Sequence, residues 1–319
     1  MSGRKDVTVT GLNFERGDTG IRILSSSYIT VIDNSFTNGV NTGIALQDST
    51  LVLIETNNFT DLHTDINVPA VMLNGSKNTF RNNTLTGGAY GIDIKGSSNV
   101  ISDNKIEITY LPIKLDKANF NTIADNKISG QGGEGIALFA DCSNNLIFGN
   151  NITGFGHAIR IMTGSNNTVY GNYMANNQFA IDLSGWDTDL PENNTFYGNT
   201  FAADSCKVRL KDAGGNFWDN GTIGNYWGDY NGTDSNGDGI GEASYTILGY
   251  KWDNDVHGDV SFVAGQDNYP LMEPYDIEHE AVVLPQTYPF LVVLAAVAIA
   301  VVVGAGLLVY YKKHKRYPT

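Results

Sequence analysis

The chain has 319 residues and a formal charge of −14, from 20 Lys and Arg against 34 Asp and Glu. So acidic a body repels phosphate backbones and anionic lipid, which excludes nucleic acid as its partner. Two cysteines, Cys142 and Cys206, are too few for a disulfide framework.

Residues 1–216 carry an internal repeat. An apolar residue, two free positions, an Asn, one free position and another apolar residue recur every 21 to 27 residues. The Asn positions are Asn34, Asn57, Asn83, Asn104, Asn126, Asn150, Asn172 and Asn199. A second phrase interleaves with the first: Gly or Ala, then apolar, any, apolar, as in Gly43-Ile-Ala-Leu46, Gly91-Ile-Asp-Ile94 and Ala158-Ile-Arg-Ile161. Within each phrase the apolar period is two, which is strand periodicity. A fixed period of this size marks a solenoid. Three short strands per unit, split by Gly and Asn corners, predict an all-β fold: a right-handed, three-sided parallel β-helix of about nine coils. Stacked coils lie about 4.8 Å apart. An inward Asn at each corner can then bond its own backbone and the amide of the next coil, forming a ladder. Asn also tolerates left-handed corners. On this spacing Cys142 and Cys206 sit about 14 Å apart along the axis, beyond disulfide reach, so both read as free thiols.

The middle residue of the Gly-Ile-x-Leu strand faces outward. Coil by coil that row reads Arg22, Ala45, Met72, Asp93, Lys114, Ala137, Arg160, Asp182 and Arg209. Flanking rows hold Tyr90, Glu134, His157 and Phe179 on one side, and Lys95, Asp116 and Phe139 on the other. Tyr90, Asp93, Lys95, Glu134, His157, Arg160, Phe179 and Asp182 form the candidate glycan-binding face. Sugar cleavage needs either paired carboxylates or a base with a cation. Asp93, Asp116 and Asp182 are candidate acids, and Lys114 or Arg160 the candidate base. The plainer expectation is a solvated sheet of alternating charge, with Asp93 beside Lys114 and Asp182 between Arg160 and Arg209.

Residues 217–272 form an aromatic cap holding Trp218, Trp227, Trp252 and several Tyr. Within it, Asp234, Asn236, Asp238, the Ile240 carbonyl and Glu242 follow the front half of an EF-hand-like calcium loop. Tyr245 stands where the bidentate Glu belongs. The expected cofactor is a structural Ca²⁺, and the competing reading is an Asx- and Gly-rich turn.

Residues 273–289 are a linker. Its Leu284-Pro285-Gln286-Thr287 resembles a cell-wall sorting signal, though Tyr288 replaces the usual Gly. Residues 290–311 are an unbroken apolar run, long enough to span a membrane as one helix. The basic tail 312–319 follows, with Lys312, Lys313, His314, Lys315 and Arg316. Positive-inside logic places this tail in the cytoplasm and the solenoid outside the cell membrane. Yet the chain opens mid-coil at Val7-Thr-Val9 with no apolar leader after Met1. The expectation is a missing N-terminal signal region belonging to a longer exported protein. Eight N-x-S/T sequons, at Asn58, Asn74, Asn82, Asn151, Asn166, Asn193, Asn220 and Asn231, suit an exported glycoprotein.

Four features together resemble the NosD-like parallel β-helix proteins of archaeal and bacterial surfaces. They are the phased Asn repeats, Asn225-Tyr226-Trp227-Gly-Asp229-Tyr230, Asn236-Gly-Asp238-Gly-Ile-Gly241 and Asp267-Asn268-Tyr269-Pro270-Leu271-Met272. The resemblance covers about residues 7–272. Its wider pectate-lyase-like group implies carbohydrate binding or cleavage, and its namesake implies maturation of a periplasmic copper site. Copper(I) wants clustered Cys, Met and His. Here His63, His157, His257, His279 and His314 are scattered, and Met162 beside His157 is a lone pair. The expected function is therefore a membrane-anchored surface scaffold, or a non-catalytic module binding a polysaccharide or surface glycoprotein. The alternative is a polysaccharide lyase or glycoside hydrolase acting on uronate-containing chains. Copper-site maturation comes last.

Overall fold

Alternating aliphatics with αL corners between them wind the chain into a parallel β-solenoid of about nine turns. The computed structural model describes residues 1–275, apart from 38, 61–64, 186–189, 204–206, 212–213, 254 and 256. The expected membrane run, the basic tail, and the linker beyond 275 lie outside the described residues, as do Cys206 and His63. Among the described residues no helix is long and apolar enough to cross a membrane.

Each turn contributes three strands, and each strand pairs in parallel with its counterpart one turn away. The first series includes Thr79–Arg81, Val100–Ser102 and Thr122–Ala124, in the register Phe80↔Ile101↔Ile123. The second includes Lys105–Glu107, Lys127–Ser129 and Asn151–Thr153, with Ile106↔Ile128↔Ile152. The third includes Tyr90–Lys95, Leu111–Leu115, Glu134–Leu138, His157–Ile161, Phe179–Leu183 and Val208–Leu210. The first and third series join where the long strand Val40–Thr50 pairs with Ser27–Ile32. At the far end Tyr245–Asp253 lies parallel on Val208–Leu210, and Gly258–Asp267 folds back on it antiparallel.

Beyond the first turn, where Val7, Val9 and Phe14 are partly buried, the inward residues of all three series are buried and make one continuous core. The second series opens with stacked rings, Phe14 on Phe36 at 4.9 Å and Phe36 on Phe59 at 4.7 Å. These rings explain why the second phrase begins on Gly in the first turns, whereas at Gly91 and Gly135 the carbonyls of Pro112 and Ala158 leave no room. A Cβ on Gly43 would stand 2.6 Å from the Phe59 ring, so no larger side chain fits there.

Asn34, Asn57, Asn83, Asn104, Asn126, Asn150, Asn172 and Asn199 are all buried. Each donates its backbone N–H to Oδ1 of the next, at 2.8–3.1 Å. Each Nδ2 also donates to that same oxygen. The ladder Asn are not the left-handed residues, contrary to expectation. The residue before each one is: Asp33, Thr56, Asn82, Asp103 and Asp125, then Gly149, Gly171 and Gly198, with φ of 52–65°. The αL residue turns the corner and the Asn after it aims inward.

A second ladder runs along the corner before the first series. Asn78, Asn99, Asn121, Asn145, Asn167, Asn194 and Asn216 hand N–H to Oδ1 in the same way. It was not expected, although each of these Asn also stands two residues before an inward apolar residue. Asn126→Ala is expected to cost roughly 2–4 kcal/mol, read as a lowered urea midpoint, because it strands the Asn104 N–H and takes a donor from the Ile101 C=O and from the Ala124 C=O, which keeps only the Asp103 N–H.

Candidate functional site

The outer face of the third series gathers the sequence-predicted charges. The register places Asp93 beside Lys114, Arg160 beside Asp182, and Asp182 beside Arg209. Two of the ion pairs follow a different pattern. Lys95 Nζ lies 3.6 Å from Asp93 along the same strand, and Lys114 Nζ lies 3.8 Å from Asp116. Side chains two apart on one face point the same way, so the neighbour along the strand competes with the neighbour across it.

The expected solvated sheet fails at the centre of this face. Asp182 is 1% exposed and Asp93 only 7%. Tyr90 and Phe179, both on the candidate glycan-binding face, are buried as well. Tyr90 packs against Leu111, Ala137 and Phe139. Burial, then the charge of Asp93, pushes its hydroxyl far up. Phe179 is covered because His157 stacks on it at 5.4 Å and 11°, with Tyr250 edge-on at 6.5 Å. Stacking across coils satisfies rings that a flat sheet would leave in water.

Four polar groups converge here from three successive coils. Arg160 Nη1 donates to Glu134 Oε1 at 2.7 Å. Its Nε lies 3.2 Å from Asp182 Oδ2. His157 Nδ1 lies 2.9 Å from that same oxygen. Asp182 Oδ1 accepts the Ser184 N–H at 2.8 Å. Burial opposes the Asp182 charge, but the nearby His157 ring nitrogen, the Ser184 N–H and the Arg160 charge prevail and hold its carboxyl below the usual range. Arg209, not among the predicted site residues, lies over the Phe179 ring at 5.5 Å and reaches Asp259 at 4.0 Å. Lys114 lies over Phe139 at 4.6 Å. Asp93, Lys95, Lys114 and Asp116 thus form a separate group, three to four coils from Asp182.

The loop at 234–242 closes on itself. Asp234 accepts N–H groups of Gly237, Asp238 and Gly239, at 2.7, 3.2 and 2.8 Å. These bonds, the Gly239 one foremost, lower its carboxyl below the usual range. Asn236 and Asp238 bond one another, and Asp238 accepts the Ile240 N–H. Glu242 accepts the Ser235 N–H and the Thr233 hydroxyl. A cation here would compete with those N–H groups for the same oxygens.

Sequence reasoning also missed Asp267. It is wholly buried where the first ladder ends. Its Oδ2 accepts Asn225 N–H at 2.6 Å, Asn225 Nδ2 at 3.2 Å and Trp227 Nε1 at 2.9 Å, while Oδ1 accepts Tyr269 N–H at 3.1 Å. An acceptor-only side chain ends a ladder that runs in one direction. The available signal was directional: Asn225 continues the ladder and needs an acceptor after it.

The family model described as "Periplasmic copper-binding protein (NosD)" matches residues 63–232, and that of "Right handed beta helix region" matches residues 1–68. No curated protein matches the chain. Among solved structures, it is similar to a double mutant of the tailspike protein of E. coli bacteriophage HK620, at 14% identity and TM-score 0.53. It is similar to a single mutant of that tailspike in complex with pentasaccharide, at 14% and 0.52. Each match covers 67% of this chain and 46% of the tailspike chain, so the chain spans about half the length of those proteins. It is also similar to the A-module of a mannuronan C-5 epimerase from Azotobacter vinelandii, at 13% and 0.40, over 69% of this chain and 84% of that one. At these identities the likeness is one of fold.

The copper of the family description does not fit the described residues. Among them no three His, Cys, Asp or Glu are grouped to hold a metal. Met162, Met174 and Cys142 are buried, and burial pushes the Cys142 thiol up to about 11, where it keeps its proton. His157 Nδ1 is taken up by Asp182.

Proposed function

The chain belongs to the NosD family of right-handed parallel β-helix proteins, and from that premise we propose an exported, membrane-held surface protein that binds polysaccharide on the outer face of its third strand series. The carrying observation is the Glu134–Arg160–Asp182–His157 network. Its groups are fixed by one another before any ligand arrives, so little side-chain freedom is lost on binding. Arg160 and His157 within it, Lys114 on the coil before that of Glu134, and Arg209 on the coil after that of Asp182 stay partly exposed, and offer hydrogen bonds and charge to a sugar chain laid along the axis. The pentasaccharide in the similar tailspike structure supports the ligand class. The apolar run 290–311 and the basic tail after it support the anchor.

The test is a glycan array probed with the full chain in detergent micelles. Polysaccharide capture is expected, and Lys114→Ala with Arg209→Ala is expected to weaken it about tenfold or more, about 1.4 kcal/mol. Capture of no glycan, or capture indifferent to both substitutions, overturns the reading.

A further inference from the structure

We infer that Asn220 carries an N-linked glycan, transferred to its side-chain amide after the chain has folded. The inference rests on the export part of the reading above and adds a modification site to it.

The Asn of all eight N-x-S/T sequons are exposed, and no ladder Asn begins a sequon. Folding nevertheless closes six of the eight. A transferase must surround the tripeptide to hold the Asn amide and the Ser or Thr hydroxyl together. In Asn58-Phe59-Thr60 and Asn151-Ile152-Thr153 the middle residue is a fully buried core residue. In Asn82-Asn83-Thr84, Asn166-Asn167-Thr168 and Asn193-Asn194-Thr195 it is a ladder Asn. In Asn74-Gly75-Ser76 it lies against the preceding coil, where a Cβ would stand 2.1 Å from the Ser49 carbonyl oxygen. Freeing any of these segments means opening a coil.

The other two sequons lie in loops of the cap. Asn231-Gly232-Thr233 is tied to a distant residue. Thr233 Oγ1 donates to Glu242 Oε2 at 3.2 Å, and the Thr233 carbonyl accepts the Glu242 N–H at 3.0 Å. Among the described residues, Asn220-Gly221-Thr222 hydrogen-bonds only within residues 219–223. Asn220 Oδ1 accepts the Thr222 N–H at 3.0 Å, the Thr222 hydroxyl at 2.7 Å and the Ile223 N–H at 2.9 Å. An amide nitrogen is a poor nucleophile, because its lone pair is delocalised onto the oxygen. As the amide gives up a proton, negative charge gathers on that oxygen, and three donors already in place stabilise it. The competing fate of an Asn-Gly pair is attack by the Gly nitrogen on the side-chain carbonyl. Here the Gly221 N–H is held by Asp219 Oδ1 at 2.9 Å, which keeps that nitrogen occupied.

The donor is a sugar joined through C1 to a lipid-borne diphosphate, used by a membrane transferase on the outer side of the membrane. Nδ2 forms a bond to C1. The bond from C1 to the phosphate oxygen breaks, and that oxygen leaves with the electron pair. The Nδ2 proton passes to a base of the transferase. Nothing is oxidised or reduced. Asn220 lies between Phe217, bridged to Thr195 of the first series, and Tyr226–Trp227, paired with the second. A glycan there leaves the outer face of the third series open.

The test maps glycopeptides by electron-transfer tandem mass spectrometry on the full chain, purified in detergent from membranes of the cells that make it. Intact cells are first treated with a membrane-impermeant amine reagent, which reports export separately through the exposed Lys105 and Lys127. A glycan is expected on Asn220. Occupancy at each of the six closed sequons is expected to be lower by about tenfold or more, the factor that about 1.4 kcal/mol of coil opening imposes. Thr222→Ala is expected to empty the site and Thr222→Ser to keep it, with both thermal melts unchanged. A labelled chain with a bare Asn220, equal occupancy across the sequons, or a glycan that survives Thr222→Ala overturns the inference and leaves export standing. A chain both unlabelled and bare overturns export as well.

Discussion

Asp267→Ala is expected to lower the stability of the solenoid by roughly 3–5 kcal/mol, seen as a fall in the urea midpoint. The substitution strands two buried donors, the Asn225 N–H and Trp227 Nε1–H, and the part-buried Tyr269 N–H, at about 1–3 kcal/mol each before water enters, while Asn225 Nδ2 keeps the Phe196 and Trp218 carbonyls. Asp267→Asn is expected to be milder. It keeps one acceptor oxygen for Asn225 and Trp227, and turns an amide donor toward the Tyr269 N–H.

The same carboxyl carries a pH signature. Burial pushes it up to about 6 against an ordinary 3.8, despite the hydrogen bonds from Trp227, Asn225 and Tyr269. A raised folded-state value means the native state binds the proton more tightly than the unfolded chain. The resulting stability is complete below pH 3.8 and is lost as pH rises through 6. At about 1.4 kcal/mol per unit, some 3 kcal/mol is at stake across that window. Urea melts at a series of pH values are expected to show this slope in the parent, and Asp267→Asn is expected to flatten it.

Arg160→Met is expected to cost roughly 3–5 kcal/mol. It leaves Glu134 and Asp182, poorly solvated carboxylates on the coils either side of it, with their shared cation gone. The discriminating variant is Arg160→Lys, which is expected to rescue little. The guanidinium reaches Glu134 through Nη1 on one side and Asp182 through Nε on the other, spanning three coils. A single ammonium is a point charge and cannot hold both ends. Equal stability of the Lys variant and the parent in urea would refute the bridging role.

Much of this architecture could be read from residue order. The Asn–x–apolar spacing located the first ladder, and the period-two pairs located all three strand series. The second ladder, Asn78 to Asn216, obeys the same rule from the other corner and was equally legible. The outer face was legible only as a set of addresses. Which residues share a row follows from the repeat. Which of them meet does not, because Arg160 bends toward Glu134 and Asp182 while Lys114 and Lys95 turn to acids on their own strands. Asp267 was visible as part of Asp267-Asn-Tyr269, but its task appears only once Gly258–Asp267 returns to the end of the ladder.

The amino-acid order alone determined the winding. Strand periodicity, corner residues and stacking amides are local properties, and each turn repeats the last. Tertiary structure alone decided which charges lie under cover and which carboxylate stands against His157. Burial and ion pairing depend on side chains from several coils and on the returning ribbon at the far end. Those groups are distant in the chain, and a short repeat carries no record of what finally packs over it.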